Sequence, residues 1–407
     1  MQCVVLAGGL ATRMRPLTEK VPKVLLEVGG QPFLRRALTW WAEQGVTEVV
    51  LSVGHLSELI DAELARAPSP VPVKVVREPE PLGTAGALRY CLKSGALAEK
   101  FLLTWGDSFL PIDFRAVFDD YAGSNASAAM TVLENRGRWD KSNVMIDQGK
   151  LALYDKAGVG DGFTHIDYGL MALSSVLVDW HVPEKGDLAG FFNELSRVGE
   201  LRGFEVRRRF YEIGSPAGLA DLEKFVKART LVVLDRDGVL NKMIPREGEP
   251  RPDSPMGPEE VELLPGVPEA VASLTQLGAT VVIASNQPAA AKGKTTREKL
   301  EAAHAKVVQL CEAKGGMIAS SHLCFHRAED ECSCRKPKPG LLLEALAAYP
   351  DHAAENAFMV GDREIDAQAG RAAGMSTVLV AGAEGAADFR RADLTEFVKL
   401  LRALKGL

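Results

Sequence analysis

The chain has 407 residues, a length that predicts two or three domains. Its composition, 46% hydrophobic and 25% charged, is typical of a globular protein, and a formal net charge of -6 gives no reason to expect nucleic acid or an acidic membrane as a partner. No apolar run approaches the roughly 20 residues that span a bilayer, and the first residues, MQCVVLAGG, lack the basic start and cleavage site of a signal peptide, so a cytoplasmic protein is expected.

Short apolar runs alternate with longer amphipathic stretches along the chain, which predicts parallel β-sheets covered by helices on both faces. One such stretch, residues 386–404, predicts a C-terminal amphipathic helix. The predicted strands are CVVLA (3–7), EVVLSV (48–53), VKVVRE (73–78), FLLTWGD (101–107), LVVLD (231–235), TVVIAS (280–285), AFMVGD (357–362) and STVLVA (376–381).

A domain boundary is predicted just past the middle of the chain. Residues 215–228 are expected to form a helix, with Ser215 as the N-cap and Pro216 at the first helical position. A new strand follows directly. The chain is therefore expected to form two α/β domains, residues 1–228 and 229–407.

The first half opens with a strand that runs into a glycine turn and a basic loop, VVLAGGLATRMRPLTEKVPK. Gly8 and Gly9 let backbone N–H groups approach phosphates closely, and a triphosphate is within reach of Arg13 and Lys23. Basic residues on a surface loop are also commonly just solvated. The complete pattern resembles the sugar-1-phosphate nucleotidyltransferases, apart from Ala11, which stands where that family usually has glycine.

Further segments carry the same resemblance. EPEPLGTAGAL, residues 78–88, is similar to the base-binding loop of the family. Asp107 stands at the position of the first metal carboxylate, and Glu212 stands where the family usually has an aspartate as the second. Lys156 and Gly169 lie in segments similar to those that contact sugar and phosphate. The small residues that would bring backbone groups to a base edge are Gly83, Thr84, Ala85 and Gly86.

This resemblance implies a Rossmann-like domain with a mixed sheet of the GT-A type and a direct displacement reaction. An oxygen of a sugar 1-phosphate would attack the α-phosphorus of a nucleoside triphosphate, and pyrophosphate would leave. Mg²⁺ held by Asp107 and Glu212 would bridge phosphates. Arg13 and Lys23 would stabilise the charge of the triphosphate and of the transition state.

The second half begins with LVVLDRDGVLN, which carries Asp235 and Asp237 at the end of a predicted strand, where α/β sheets place ligands. On their own, these two carboxylates fit a solvated polar turn as well as a phosphoryl-transfer site. Three later segments favour the phosphoryl-transfer site. The order of the four motifs along the chain resembles that of the haloacid dehalogenase (HAD) superfamily of phosphatases. The later residues are Ser285 and Asn286, then Arg335, Lys336 and Lys338, then Asp362 and Asp366.

The HAD resemblance implies a parallel-sheet domain and a role for each motif. Asp235 would be the nucleophile that forms an aspartyl-phosphate, and Asp237 would protonate the leaving alcohol and then activate water. Lys336 is preferred over Lys338 as the phosphate-binding lysine because it directly precedes the first proline of RKPKPG, and Asp366 would orient the lysine or the metal shell. The implied Mg²⁺ ligands are Asp235, the backbone carbonyl of Asp237, and Asp362. The other implied substrate contacts are Ser285, Asn286 and Arg335.

The segment CFHRAEDECSC, which runs directly into RKPKPG, carries a cluster of metal-ligand residue types. Its two close ligand pairs fit a tetrahedral Zn²⁺ site in which the protein fills all four positions, so a structural zinc is predicted. The alternative is three unrelated thiols and a histidine. The four residues are Cys324, His326, Cys332 and Cys334.

The loop CFHRAEDECSC, which precedes Lys336, points to one family within the HAD superfamily. Residues 230–381 resemble the D-glycero-D-manno-heptose 1,7-bisphosphate 7-phosphatases, and histidinol-phosphate phosphatases are close relatives of these. Pro288 and Lys292, in SNQPAAAKG, depart from the usual pattern of that family. The expected fold is thus two Rossmann-like α/β domains, the second a HAD-like parallel sheet with a zinc loop.

The two resemblances together imply consecutive reactions. Removing the 7-phosphate of a heptose 1,7-bisphosphate leaves a heptose 1-phosphate, which a nucleotidyltransferase consumes. We therefore predict a bifunctional enzyme that makes an NDP-heptose, with Mg²⁺ in both domains; GTP is the nucleotide that the resemblance implies. The alternatives are a mannose-1-phosphate guanylyltransferase joined to a phosphatase for another sugar, or one inactive half that acts as a regulatory module. Homo-oligomerisation is left open.

Overall fold

The computed structural model describes every residue except Leu10 and Arg251. The described residues form two compact units, Met1–Val226 with Gly406–Leu407, and Lys227–Lys405. Each unit has a central β-sheet with helices, which confirms the predicted α/β class. Within the described part of the chain, no helix is both long enough and apolar enough to cross a membrane. The cytoplasmic location stays a prediction.

The N-terminal unit is built on a mixed sheet, as predicted. The strands of this unit are β1 (Gln2–Leu6), β2 (Glu27–Val28), β3 (Gln31–Pro32), β4 (Glu48–Val53), β5 (Val73–Arg77), β6 (Lys100–Trp105), β7 (Ser108–Phe109), β8 (Ala128–Glu134), β9 (Val144–Asp147), β10 (Lys150–Tyr154), β11 (His165–Ser174), β12 (Leu201–Val206) and β13 (Tyr211–Glu212). The order β6-β1-β4-β5 is parallel throughout, and β11 pairs antiparallel with β6, β8 and β9. β7 and β13 form a separate two-stranded ribbon.

Helices flank this sheet because their apolar faces recur at helical spacing. In α6, for example, the buried side chains Leu188, Phe191 and Phe192 lie three and four residues apart and join the main core. The Ser215 hydroxyl accepts a hydrogen bond from the N–H of Gly218 at 3.1 Å, so the predicted cap of the last helix is confirmed. The helices are α1 (Phe33–Glu43), α2 (Ser57–Arg66), α3 (Gly83–Lys93), α4 (Phe114–Ala122), α5 (Ser175–His181), α6 (Leu188–Arg197) and α7 (Pro216–Lys227).

The C-terminal unit has a fully parallel sheet, as predicted. Its strands are β14 (Leu231–Leu234), β15 (Thr280–Asn286), β16 (Ser320–Cys324), β17 (Phe358–Gly361), β18 (Ser376–Leu379) and β19 (Phe389–Arg390). They follow the order β16-β15-β14-β17-β18-β19. The residues of β14, β17 and β18 are all buried, which explains their continuous apolar runs. The helices are α8 (Val267–Gln276), α9 (Arg297–Cys311), α10 (Gly340–Ala348), α11 (Glu364–Ala372) and α12 (Leu394–Lys405).

The predicted C-terminal helix begins later than expected. Residues 386–404 were expected to be helical throughout, but α12 starts at Leu394. Asp393 stops the helix from extending backwards, since its carboxylate accepts the N–H of Glu396 at 2.9 Å in the manner of an N-cap. Phe389, only 1% exposed, belongs instead to the edge strand β19.

Candidate active sites

The phosphatase-type centre of the C-terminal unit lies at the carboxyl ends of three adjacent strands. Asp235 follows β14, Ser285 lies near the end of β15, and Asp362 follows β17. Because these strands are neighbours, the fold brings the predicted residues to one edge of the sheet. Gly238 permits the approach: its φ is +85°, and a Cβ at this position would overlap the carboxylate of Asp362.

Lys336 is the buried cation of this centre. Its Nζ lies 2.9 Å from Asp235 Oδ1 and 2.6 Å from Asp366 Oδ1, and it donates to the carbonyl oxygen of Ala284 at 2.9 Å. Burial alone would lower the pKa of Lys336, but the two carboxylates raise it above its usual value, so the lysine stays protonated. The lysine therefore lies where it can neutralise a phosphoryl group at Asp235, and Asp366 is placed to orient it.

Three carboxylates of this centre are close enough to share a cation. One oxygen from each of Asp235, Asp362 and Asp366 lies within 4.8 Å of the others. Asp362 Oδ1 is buried and has no hydrogen-bond partner among the described residues. Burial, together with the charges of Asp235 and Asp366, raises the pKa of Asp362 to about 7. An oxygen cluster of this kind fits a hard divalent cation such as Mg²⁺.

Asp237, the predicted acid/base residue, is held by three buried side chains. Arg236 donates to its two oxygens at 3.0 and 3.1 Å, Asn241 donates at 3.0 Å and Gln287 at 2.6 Å. Burial opposes ionisation, but these donors lower the pKa of Asp237 below its usual value. The folded site thus favours the carboxylate, the form that activates water. To give a proton to a leaving alcohol, Asp237 must first be protonated, which these donors oppose.

Sequence reasoning missed the residues that hold Asp237. Arg236 is 0% exposed and also donates to Gln287 Oε1 at 2.7 Å, so the two form one buried network. The available signal was their place in the motifs: Arg236 stands between the two aspartates, and Gln287 follows Ser285 and Asn286. A charged or amide side chain that is buried at a strand end needs a hydrogen-bond or ionic partner, because burying it unpaired is costly. The neighbouring motif residues are the nearest such partners.

Three predicted substrate contacts have protein partners. Asn286, whose contact with phosphate stays a prediction, donates to the carbonyl oxygen of Lys336 at 3.0 Å and accepts the N–H of Lys336 at 3.1 Å. This pair of bonds positions the lysine backbone. Arg335 donates to the carbonyl oxygen of His326 at 3.1 Å. Ser285 is 1% exposed, and its hydroxyl accepts from Gln287 at 3.0 Å.

The predicted zinc ligands are brought together. The Cys324, Cys332 and Cys334 sulfurs lie 3.3 to 3.7 Å apart, and His326 Nδ1 lies 3.7 Å from the first and 3.3 Å from the third. Tetrahedral zinc with Zn–S bonds of about 2.3 Å places its ligand atoms about 3.8 Å apart, so the arrangement fits Zn²⁺. Cys324 ends β16 and the others lie in the loop that leads to Lys336.

The N-terminal unit has a cleft of about 650 Å³ where the carboxyl ends of β1 and β6 meet the helix α3 and the strand β11. Its lining contains most of the residues predicted for this unit; Ala85 and Gly86 are not part of it. The predicted residues in the lining are Gly8, Gly9, Arg13, Lys23, Gly83, Thr84, Asp107, Lys156, Gly169 and Glu212.

The metal-type carboxylates of this cleft are side by side. The ribbon of β7 and β13 pairs Glu212 with Ser108, next to Asp107. Lys23 Nζ lies 2.7 Å from Asp107 Oδ2. Glu212 stays open to solvent within the cleft, yet desolvation by the cleft walls and the charge of Asp107 raise its pKa to about 7. Two carboxylates beside the predicted phosphate-binding loop fit Mg²⁺.

In the basic loop, Ala11 adopts a left-handed backbone conformation that usually favours glycine. Ala11 has a φ of 48°, in the left-handed region that an L-residue enters at a cost of about 1 to 2 kcal/mol. This is the position at which the resembled family usually has glycine. Ala11 therefore holds a strained backbone conformation that a glycine would adopt without this cost.

The small residues of the predicted base-binding loop pack against a later segment of the chain, and their contact with a base stays a prediction. A Cβ at Gly83 or Gly86 would overlap the backbone of residues 184–186, so the glycines allow that segment to pack on α3. The N–H of Ala85 donates to the carbonyl oxygen of Gly186 at 2.9 Å, and the Thr84 hydroxyl accepts the N–H of Leu188 at 2.9 Å. Packing against a later segment accounts for these small side chains.

A second group of charged residues lines the part of the cleft beside β11. Lys156 Nζ lies 2.5 Å from Asp187 Oδ2. Asp167, two residues before Gly169, accepts the N–H of Gly169 at 2.9 Å, and burial raises the pKa of Asp167 to about 6. Gly169 has a φ of +95°. Asp167, Asp187 and Glu78 are cleft residues that the sequence reasoning did not single out.

The folds and sites define two enzyme classes, a nucleotidyltransferase and a phosphatase, and comparison with known families supports both. The family described as the MobA-like NTP transferase domain matches residues 3–178. The HAD-hydrolase-like family matches residues 333–401. The predicted nucleotidyltransferase and phosphomonoesterase classes are thereby confirmed.

Curated relatives make the assignment more specific. A D-glycero-β-D-manno-heptose-1,7-bisphosphate 7-phosphatase of Neisseria meningitidis is 37% identical over 155 residues, which is 38% of this chain and 79% of the relative. The chain therefore belongs, through its HAD-like unit, to the family of these phosphatases. A D-glycero-α-D-manno-heptose 1-phosphate guanylyltransferase of Campylobacter jejuni is 28% identical over 218 residues, 53% of this chain and 96% of the relative. The crystal structure of HddC from Yersinia pseudotuberculosis is 25% identical, with a TM-score of 0.46, and covers 55% of this chain and 99% of that chain.

Proposed function

We propose that the chain catalyses two consecutive steps of nucleotide-activated heptose synthesis. The unit Lys227–Lys405 removes the 7-phosphate of D-glycero-D-manno-heptose 1,7-bisphosphate, and the unit Met1–Val226 transfers GMP from GTP to the resulting heptose 1-phosphate. The observation that carries the proposal is the presence on one chain of the Asp235–Lys336 centre and the Lys23–Asp107 cleft. The product of the first chemistry is the substrate class of the second.

In the phosphatase step, Asp235 attacks the phosphorus of the 7-phosphate and the bond to the sugar oxygen breaks. Lys336 neutralises the transferring phosphoryl group, and Asp237, released from its donors and protonated, gives a proton to the leaving alcohol. Asp237 then takes a proton from the water that hydrolyses the aspartyl-phosphate. Asp235, Asp362 and the backbone carbonyl of Asp237 would hold Mg²⁺, which would supply further neutralisation of phosphate charge.

In the transferase step, the 1-phosphate oxygen of the heptose attacks the α-phosphorus of GTP, and pyrophosphate leaves. Arg13 and Lys23 neutralise charge on the triphosphate as the bond breaks. Asp107 and Glu212 would hold Mg²⁺ there. Lys156 lies beside the β11 part of the cleft, where it would meet the phosphate of the incoming sugar.

A matrix of activities tests this function. Purified protein is supplied with each of four nucleoside triphosphates and with heptose 1,7-bisphosphate, heptose 1-phosphate or mannose 1-phosphate, and phosphate and sugar nucleotide are measured separately. Phosphate release from the bisphosphate, followed by GDP-heptose, is the expected result. A preference for mannose 1-phosphate, or the absence of phosphate release from the bisphosphate, would overturn the heptose assignment.

Zinc is proposed to fix the loop that carries Lys336. In Cys332→Ser, the bound zinc should fall from about one ion per chain to a small fraction, since a hydroxyl is a far poorer zinc ligand than a thiolate. Phosphatase turnover should fall with it, because the loop loses its anchor. Elemental analysis of the dialysed protein measures the metal. Cys311→Ala, a buried cysteine on α9 outside the cluster, is the control and should keep its zinc; full zinc in Cys332→Ser would refute the site.

The Mg²⁺ requirement of the transferase is expected to rise as the pH falls below about 7. Glu212, with a pKa raised to about 7, is protonated below that value, so the cation must displace a proton. The Mg²⁺ concentration for half-maximal sugar-nucleotide formation should increase by up to about tenfold per pH unit. Glu212→Gln should need more Mg²⁺ but show little of this pH dependence, whereas Glu212→Asp should retain it. An equal requirement at acidic and alkaline pH in the unchanged protein would contradict the assignment.

A further inference from the structure

The cysteines of the chain differ in how far they are open to solvent, and the open ones lie in one place. All six cysteines fall in the described part of the chain. Cys332 and Cys334 are partly exposed, and both belong to the cluster that fits zinc. An oxidant dissolved in water therefore meets this cluster before any other sulfur of the protein. The fully buried cysteines are Cys3, Cys91, Cys311 and Cys324.

Within the cluster, Cys324 and Cys334 are the pair best placed to form a disulfide. Their sulfurs lie 3.3 Å apart, the shortest separation between two sulfurs of the cluster. A disulfide bond is about 2 Å long, so the two sulfurs need to approach by little more than about 1 Å. Cys332 and Cys334 lie 3.4 Å apart, but only one residue separates them, and a bond between them would close a small, strained ring.

Cys334 is close in the chain to the buried lysine of the phosphatase centre. One residue separates it from Lys336. The side chain of Asn286 holds both backbone polar groups of Lys336. On the other side of the turn, Gly340 packs against the backbone of residues 333–334, since a Cβ at Gly340 would overlap it. A turn that is fixed at both of these points has little room to absorb a shift of Cys334, so the shift moves Lys336.

Cys324 is linked to the acid/base residue by two hydrogen bonds in series. Its carbonyl oxygen accepts the N–H of Gln287 at 2.6 Å, and the Gln287 side chain donates to Asp237 at 2.6 Å. Cys324 also lies opposite Asn286 in the pairing of β15 with β16. A displacement of the two sulfurs therefore reaches the phosphatase centre from two directions, at Lys336 and at Asp237.

We propose that this cluster is a thiol switch of the phosphatase, in which a peroxide converts Cys324 and Cys334 to a disulfide and zinc is released. The Cys334 thiolate attacks one peroxide oxygen, the O–O bond breaks and hydroxide leaves, which produces a sulfenic acid. The Cys324 thiolate then attacks the Cys334 sulfur and displaces a second hydroxide. The two thiolates give two electrons to the peroxide, and the products are one disulfide, two hydroxide ions and Zn²⁺. This inference rests on the proposed zinc site and on the proposed phosphatase function.

Hydrogen peroxide in small molar excess, added to the zinc-loaded protein, tests the switch. A coloured chelator follows zinc release, peptide mass mapping without reductant finds the cross-link, and phosphate release from heptose 1,7-bisphosphate measures turnover. Zinc should appear in proportion to the Cys324–Cys334 cross-link, and phosphate release should fall about 10- to 100-fold, the loss expected when catalytic groups move by about 1 Å. A dithiol reductant with zinc should restore it. Sugar-nucleotide formation should be unchanged, because Cys3 and Cys91 of the N-terminal unit are fully buried.

Two variants identify the sulfurs that respond. Cys311→Ala, which removes the buried cysteine of α9, should react to peroxide as the unchanged protein does. Cys334→His keeps four zinc ligands, now two cysteines and two histidines, but lacks one sulfur of the proposed disulfide. It should hold zinc and keep its phosphate release at the same peroxide concentration. If Cys334→His does not fold, the peptide map of the unchanged protein decides the assignment by itself.

The outcomes separate this switch from the function that it controls. Retained zinc without a Cys324–Cys334 cross-link would overturn it. So would a cross-link that leaves phosphate release unchanged, or a loss that reductant and zinc do not reverse. Cross-link and metal are measured without turnover, so if both change as expected but the bisphosphate is never hydrolysed, the modification site stands and the proposed phosphatase function fails.

Discussion

Asp235→Asn is expected to lower phosphate release from heptose 1,7-bisphosphate by at least about 10⁴-fold, because an amide cannot act as the nucleophile. The fold should be unaffected. Asparagine has the same shape. The 2.9 Å ion pair of Lys336 with Asp235 is lost, but the 2.6 Å pair with Asp366 remains and the repulsion between Asp235 and Asp362 disappears. Because these effects oppose one another, the thermal midpoint of the C-terminal unit should change little. Initial rates of phosphate release, with unfolding followed by circular dichroism, measure both effects.

The design of this experiment excludes a general loss of structure. The same Asp235→Asn protein, supplied with heptose 1-phosphate and GTP, should make GDP-heptose at the rate of the unchanged protein. Asp351→Asn, an exposed aspartate of the same unit, should alter neither activity. Lys336→Met is a poorer probe, since it would leave two buried carboxylates without a cation and cost about 3 to 5 kcal/mol of stability. Phosphate release within tenfold of the normal rate in Asp235→Asn would remove Asp235 as the nucleophile.

Much of this architecture follows from local sequence. Apolar runs that end in Asp235, Asp362 or Asp107 predicted both the strands and the residues at their carboxyl ends, because a parallel sheet brings such ends to one edge. The spacing of the cysteines in CFHRAEDECSC likewise predicted a cluster. Two pairs of ligand residues separated by a short loop can reach one metal ion without any contact from a distant part of the chain. The short polar strand β16, SSHLC, carries no such periodicity and was missed.

What local sequence could not provide is the partner of each side chain. Gln287 meets Asp237 across 50 positions, and the glycine at 83 faces Gly186, more than a hundred positions later. A pattern of small residues indicates close packing but not which segment packs there, so the contact of Gly83 and Gly86 with residues 184–186 could not be predicted. Similarly, the sequence does not indicate that Asn286 holds the backbone of Lys336.

In the N-terminal unit, Asp107→Asn is expected to lower GDP-heptose formation by about 10²- to 10³-fold. The loss has two parts. An amide is a poorer Mg²⁺ ligand than a carboxylate, and Lys23 loses the charged partner that holds it 2.7 Å away. Pyrophosphate release with heptose 1-phosphate and GTP measures the effect, while phosphate release from the bisphosphate should be unchanged.

The same variant gives a second, independent result. Burial is the largest cause of the raised pKa of Glu212 and the charge of Asp107 is the next, so in Asp107→Asn that pKa should fall and the rise in the Mg²⁺ requirement should begin at a lower pH. The exposed Asp147, at the end of β9, supplies the control: Asp147→Asn should keep both the rate and the pH dependence. If Asp107→Asn forms GDP-heptose at the normal rate, the metal does not lie between Asp107 and Glu212, and the catalytic carboxylates must be sought beside β11, where Asp167 and Asp187 line the cleft.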